Sequence, residues 1–103
     1  MESKEIMAIV KKPGEKAEIK PIRNTLEELQ EIVGGYVETL KWTNDSVLIM
    51  NEEGKLLGLP VNFPIWNDVI LGTAVVVGTK EDEFADVPLD AIEAFSACVE
   101  DKG

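Results

Sequence analysis

The chain has no histidine and a single cysteine, Cys98, and these two shortages exclude more chemistry than any motif supplies. Without an imidazole the usual general base near neutral pH is missing, and with it the Ser-His-Asp and Cys-His arrangements. One cysteine and no histidine cannot build a structural zinc site. A lone cysteine forms no disulfide within the chain, which rules out a disulfide-stapled secreted scaffold. Long apolar runs are missing as well. The five residues Ile6–Val10 are too short for the apolar core of a signal peptide, and the uncharged stretches Leu56–Asn67 and Val69–Thr79 are split by Asp68. None approaches the roughly 20 residues that span a bilayer, so the expected address is the cytoplasm, away from membranes.

Positive charge is also scarce, with 10 basic against 20 acidic residues and a net charge of −10. Such a balance repels phosphate backbones unless basic residues gather locally. Residues 1–23 do gather six basic groups against four acidic ones, including Lys11, Lys12, Lys16, Lys20 and Arg23. Nucleic-acid readers add stacking aromatics or a recognition helix to a basic ridge, and this segment has neither. Lysines guarding a sheet edge account for it better, and direct nucleic-acid binding is not expected.

What is present reads as one domain over residues 1–103, with 45% hydrophobic residues to form a core. Ile6–Lys11 is a strand apolar on both faces, Pro13-Gly14 a turn, and Ala17–Arg23 a returning strand that Pro21 places at an edge. Thr25-Leu26-Glu27-Glu28 is a capping box. The helix it opens carries Leu26, Leu29, Ile32 and Val33 on one stripe and stops at Gly34. Tyr36–Trp42 and Val47–Asn51 form two strands around a turn at Thr43–Ser46. Gly54 is expected at positive φ in the following turn. Leu56–Leu59 then reads as a short strand, Val61–Asp68 as a loop, and Val69–Thr79 as one central strand. After an acidic loop, Lys80–Asp86, a last helix has Asp86 as its N-cap and Leu89, Ile92, Phe95 and Val99 as its apolar stripe. The expected class is α+β: a single small mixed or antiparallel sheet of about five or six strands with two helices, in the order ββα, strands, α.

Few residues carry candidate chemistry. Glu81, Asp82, Glu83 and Asp86 are the densest acidic cluster, but they lack the alternating ligands and central glycine of a calcium loop. They read as a solvated face at a helix start. Cys98 lies at the margin of an apolar stripe with no base nearby, as a structural thiol does. No metal, cofactor or catalytic residue is expected. Phe63, Ile65 and Trp66 form either an exposed patch or, more commonly for loop aromatics, a flap folded onto the core.

Three segments together resemble a known family. They are Thr25–Glu38 (TLEELQEIVGGYVE), Asn51–Asn62 (NEEGKLLGLPVN) and Ile70–Gly78 (ILGTAVVVG), in matching order and spacing from Thr25 to Gly78. That family consists of small bacterial and phage or mobile-element proteins and is described only as a domain of unknown function. The resemblance implies a short protein often encoded by phages and mobile elements, and supplies no activity, cofactor or catalytic residue. Its motifs are rich in glycine and apolar residues, as motifs that record a fold are. Their polar members, Asn51 and Asn62, are the ones to follow.

The function expected is therefore a non-enzymatic accessory or adaptor protein that binds another, unidentified protein as a monomer or homodimer. Its candidate contacts are Tyr36, Asn51, Asn62, Phe63 and Trp66. The alternative is an inhibitor that imitates nucleic acid and targets a host DNA-handling or defence enzyme. It would present Glu27, Glu28 and Glu31 with Glu81, Asp82, Glu83 and Asp86 as an acidic face, since duplex DNA carries one charge per about 1.7 Å of axis.

Overall fold

A strand made of Ala74–Lys80 (β7) carries a run of valines whose side chains are shut away from water on both faces. A strand of this kind needs a partner on each edge and a cover on each face. The computed structural model, which describes residues 4–65 and 68–99, meets both needs. Along one edge β7 pairs with β1 (Glu5–Lys11) and along the other with β4 (Ser46–Asn51). Outside these lie β2 (Glu18–Arg23) and β3 (Val37–Thr43), giving the order β2-β1-β7-β4-β3 with every pairing antiparallel. A sixth strand, β8 (Glu83–Ala85), pairs with the far end of β7. Pro21 does lie on an edge strand, where its missing N–H interrupts no ladder.

Alternation along each strand sorts the side chains into two cores. On one face Ala8 and Val10 of β1, Ile49 of β4, and Val75 and Val77 of β7 meet Leu29 and Val33 of helix α1 (Leu26–Val33). On the other, Ile9, Leu48, Met50 and Val76 meet Ala91 and Phe95 of helix α3 (Leu89–Val99). The same core takes Phe63, Ile65 and Ile70 from a separate two-stranded sheet, β5 (Val61–Ile65) with β6 (Asp68–Leu71). Phe95 meets Phe63 edge-on at 5.3 Å between ring centroids and Trp42 at 5.7 Å, so α3 and the β5–β6 hairpin share one aromatic joint. Trp42 also donates its indole N–H to the Ala91 carbonyl at 3.1 Å.

The α+β class holds, and several elements differ from expectation in instructive ways. Leu56–Leu59 is not a strand. Gly54–Leu57 coils into a short helix (α2), closed by Gly58 at φ 66°, and a third helix joins the two expected. Gly54 is not at positive φ; it packs against Leu71, where a Cβ would lie 3.3 Å from that residue's own Cβ. The expected single strand over Val69–Thr79 breaks at Gly72 (φ 79°), whose conformation turns the chain from β6 into β7. Val61–Ile65 is a strand and not a loop. A second sheet therefore stands beside the first.

The capping box forms at its first half only: Thr25 Oγ1 accepts from the Glu28 amide at 3.1 Å, while the Glu28 carboxylate accepts from the Arg23 amide at 3.5 Å. Leu26, expected on the buried stripe, is 59% exposed because the helix rests on the sheet through Leu29 and Val33. The acidic loop contains a two-residue turn, Glu81 (φ 52°) and Asp82 (φ 69°), between β7 and β8. Paired positive φ values suit the twist of a tight hairpin.

Asp86 does not cap α3. Its carboxylate accepts from the Met7 amide at 2.8 Å, and the next amide, Val87, donates to the Met7 carbonyl at 2.8 Å. The chain after β8 is thereby pinned to β1 across the end of β7. That crossing requires Gly78, because a Cβ there would stand 2.2 Å from the Asp86 carbonyl oxygen. Backbone on the other side of the contact cannot rotate away as a side chain would. Gly78→Ala is expected to lose about 2–3 kcal/mol of unfolding free energy in a urea titration. Gly14→Ala, at φ 76° with open space around it, should lose only about 1 kcal/mol.

Candidate functional site

The two polar motif residues prove to be joints. Asn51, buried at the end of β4, donates from Nδ2 to the Val33 carbonyl at 3.1 Å and accepts at Oδ1 from the Glu53 amide at 2.7 Å. One side chain thus satisfies an orphan carbonyl at the end of α1 and holds the turn that leads into α2. Gly35 lies against it: a Cβ at that position would be 2.9 Å from Asn51 Nδ2. Asn62 on β5 spends both amide protons on backbone carbonyls, Lys11 at 2.8 Å and Gly72 at 2.7 Å, and so ties the β5–β6 hairpin to the main sheet. Its Oδ1 accepts from the Lys11 ammonium at 3.0 Å.

The expected contact residues among those described differ in exposure. Phe63 is 3% exposed, in the core with Ile65, because β5 turns both inward against α3. Asn51 is likewise enclosed, and Asn62 is half-buried. Tyr36 is 66% exposed, just before β3. Trp66 lies outside the described residues. The acidic residues divide differently. Asn24 donates its side-chain amide to the Phe84 carbonyl at 3.2 Å, which sets the start of α1, with Glu27 and Glu28, beside β8 and the exposed acids Glu81, Asp82 and Glu83. Glu31 is exposed one turn further along α1, and Asp86 is committed to β1.

Sequence reasoning missed a concave surface beside the sheet. A groove of about 280 Å³ opens between β3 and β4 on one side and α2 and β6 on the other. Leu40, Met50, Val69 and Ile70 supply its apolar lining, and Glu38, Glu52, Glu53 and Asp68 its carboxylates. The Lys55 ammonium lies 3.5 Å from Asp68 Oδ1 across the exposed rim. The Val69 amide, donating to the Asp68 carboxylate at 2.7 Å, and then the Lys55 charge hold that carboxyl below its ordinary pKa. Beside the groove, β3 pairs only with β4, so its outer edge presents the alternate backbone N–H and C=O groups that β4 does not take up, with no proline in the strand. The sequence reads Tyr36–Trp42 as a strand, but several strand orders bury the same residues, and for that reason its place at the edge was hidden. Among the described residues, no group of three or more carboxylate or thiol side chains is arranged to hold a metal ion. No helix among the described residues is long and apolar enough to cross a membrane.

A family model described as a domain of unknown function (DUF3846) matches residues 6–100, which include all three motifs and both Asn joints. No curated protein and no solved structure matches the chain.

The electrostatics of the groove rim are directly measurable. A carboxyl whose folded pKa is depressed contributes stability above its unfolded pKa and loses it as pH falls through the folded value. Asp68 is exposed, so this contribution is small and its titration is the better readout. In a carbon-detected NMR titration Asp68 is expected to ionise below the ordinary aspartate value. Lys55→Gln should raise it only part of the way, because the Val69 amide is the larger cause. A full return to the ordinary value in Lys55→Gln would refute that ordering.

Proposed function

The chain belongs to the DUF3846 family, a domain of unknown function, and from its surface we propose that it is a binding module that takes an extended, basic segment of a partner protein along β3. The observation that carries this reading is the free β3 edge lying directly beside the acid-rimmed apolar groove. An added strand would draw affinity from main-chain hydrogen bonds, and its alternate side chains would enter the groove. Leu40 and Met50 suit an apolar side chain there, while Glu38, Glu52 and Glu53 suit lysine or arginine at the rim. The net charge of −10 speeds encounter with such a partner and discourages acidic ones. Tyr36, exposed at the head of the same strand, is a candidate contact from the sequence that stands at this edge. The opposite edge is less suited, because Pro21 leaves a gap in the donors of β2.

A second reading, the acidic mimic of a nucleic-acid backbone, draws on the Asn24–Phe84 bond that gathers the acids of α1 and of the β7–β8 turn at one end. The two readings use different carboxylates, so one experiment separates them. Random twelve-residue peptides are displayed against the purified protein and the enriched sequences measured by calorimetry. The binding-module reading expects lysine or arginine alternating with apolar residues, and about tenfold weaker binding to Glu38→Lys/Glu53→Lys. Peptides lacking basic residues, or unchanged affinity in that double variant, would contradict it. Loss of binding in Glu27→Lys/Glu28→Lys instead would transfer the interaction to the α1 end.

A further inference from the structure

Lys11 ends β1 with 7% of its surface exposed, an unusual position for an ammonium. Its Nζ donates to the Lys12 carbonyl and to Asn62 Oδ1, both at 3.0 Å and both neutral. The ion pairs among the described residues join Lys20 with Glu18 and Lys55 with Asp68; Lys11 is in neither. A buried charge with neutral partners alone is costly, and replacing it with an apolar residue is the cheaper way to fill such a site. Two of the three ammonium N–H bonds have protein acceptors, which leaves one donor and a full charge for a ligand.

The surroundings are built to hold that ammonium in place. Asn62 has both its amide protons tied to carbonyls, so its Oδ1 has a fixed position and in turn fixes Nζ. A cavity of about 650 Å³ adjoins them, within the range of small-molecule sites. Lys11 and Asn62 line it together with Phe63, Pro64, Ala17 and Val99, whose hydrocarbon surfaces form the walls. Lys16 and Glu15 stand at its exposed rim and offset one another in charge, so the uncompensated charge of the site is the single one on Lys11.

We propose that this cavity binds a small monocarboxylate with a compact apolar body. The carboxylate accepts from Lys11, and the hydrocarbon lies against Phe63 and Pro64. One unpaired ammonium balances one negative charge, whereas a phosphate dianion would leave a charge unbalanced against apolar walls. The site lies on the β1–β2 turn and β5, lined by none of the residues of the groove beside β3, and neither proposal depends on the other.

The test titrates the isotope-labelled full chain with hexanoate, its neutral analogue hexanamide, and inorganic phosphate, following amide and lysine side-chain signals by NMR. Saturable shifts at Lys11, Ala17 and Phe63 with hexanoate are expected, with at least tenfold weaker binding of hexanamide and phosphate. Lys11→Met, which keeps length and loses charge, should abolish hexanoate binding while the signals of Val75–Val77 stay in place. No saturable shift with hexanoate, equal binding of hexanamide or phosphate, or unchanged affinity in Lys11→Met would each overturn the proposal. Should Lys11→Met fail to fold, the hexanoate-to-hexanamide ratio on the natural chain decides the matter alone.

Discussion

Everything in this molecule is arranged around the removal of β7 from water on both faces. Val75, Val76 and Val77 are fully enclosed, and each such side chain contributes about 1.5–3 kcal/mol when buried. A strand with apolar residues at consecutive positions leaves no polar face, so a single covering layer does not suffice. The chain places α1 over one face, and α3 with the β5–β6 hairpin over the other. The cost is geometric: connections must pass close over the strand ends. Gly78 admits the Asp86 carbonyl at one end, and Gly72 turns the chain sharply into β7 at the other.

The polar residues that look most like site residues in the sequence serve this packing. Asn51 and Asn62 each take part in three hydrogen bonds or close approaches that join separate elements. Buried amides of this kind are expensive unless fully paired, and once paired they specify a unique arrangement. The glycine-rich and asparagine-bearing motifs therefore mark joints. The surfaces proposed for recognition are less patterned: the bare edge of β3 with its acidic groove, and the cavity where a buried ammonium meets apolar walls.

The sequence was legible wherever local rules agree with the tertiary structure. The threonine cap and Gly34 stop of α1, the edge position of Pro21 and the centrality of the valine run all follow from short-range chemistry. It misled where one apolar run serves two elements. Leu56–Leu59 looked like a strand, yet two glycines allow a helical turn that leaves Leu56 85% exposed. Val69–Thr79 looked continuous because Gly72 is silent without knowledge of its φ. Asp86 resembled a helix cap, and only the three-dimensional path brings it to Met7. The burial of Lys11 was equally unreadable: five basic residues in one segment suggested a solvated ridge, and nothing local distinguishes the one that Asn62 draws inward, 51 positions away.

If two-sided burial of β7 is the constraint on which the fold rests, the sheet centre and both covering layers form one cooperative unit. Native-state hydrogen exchange across a denaturant series measures this directly. The account predicts that the amides of Val75–Val77, Leu48 and Ile49 exchange only through global unfolding, with a single free energy equal to that from the denaturant midpoint and slope, while the outer amides of β3 and those of α2 exchange through local openings. Release of the β7 amides through a lower-energy opening, with α1 or α3 still protected, would contradict it.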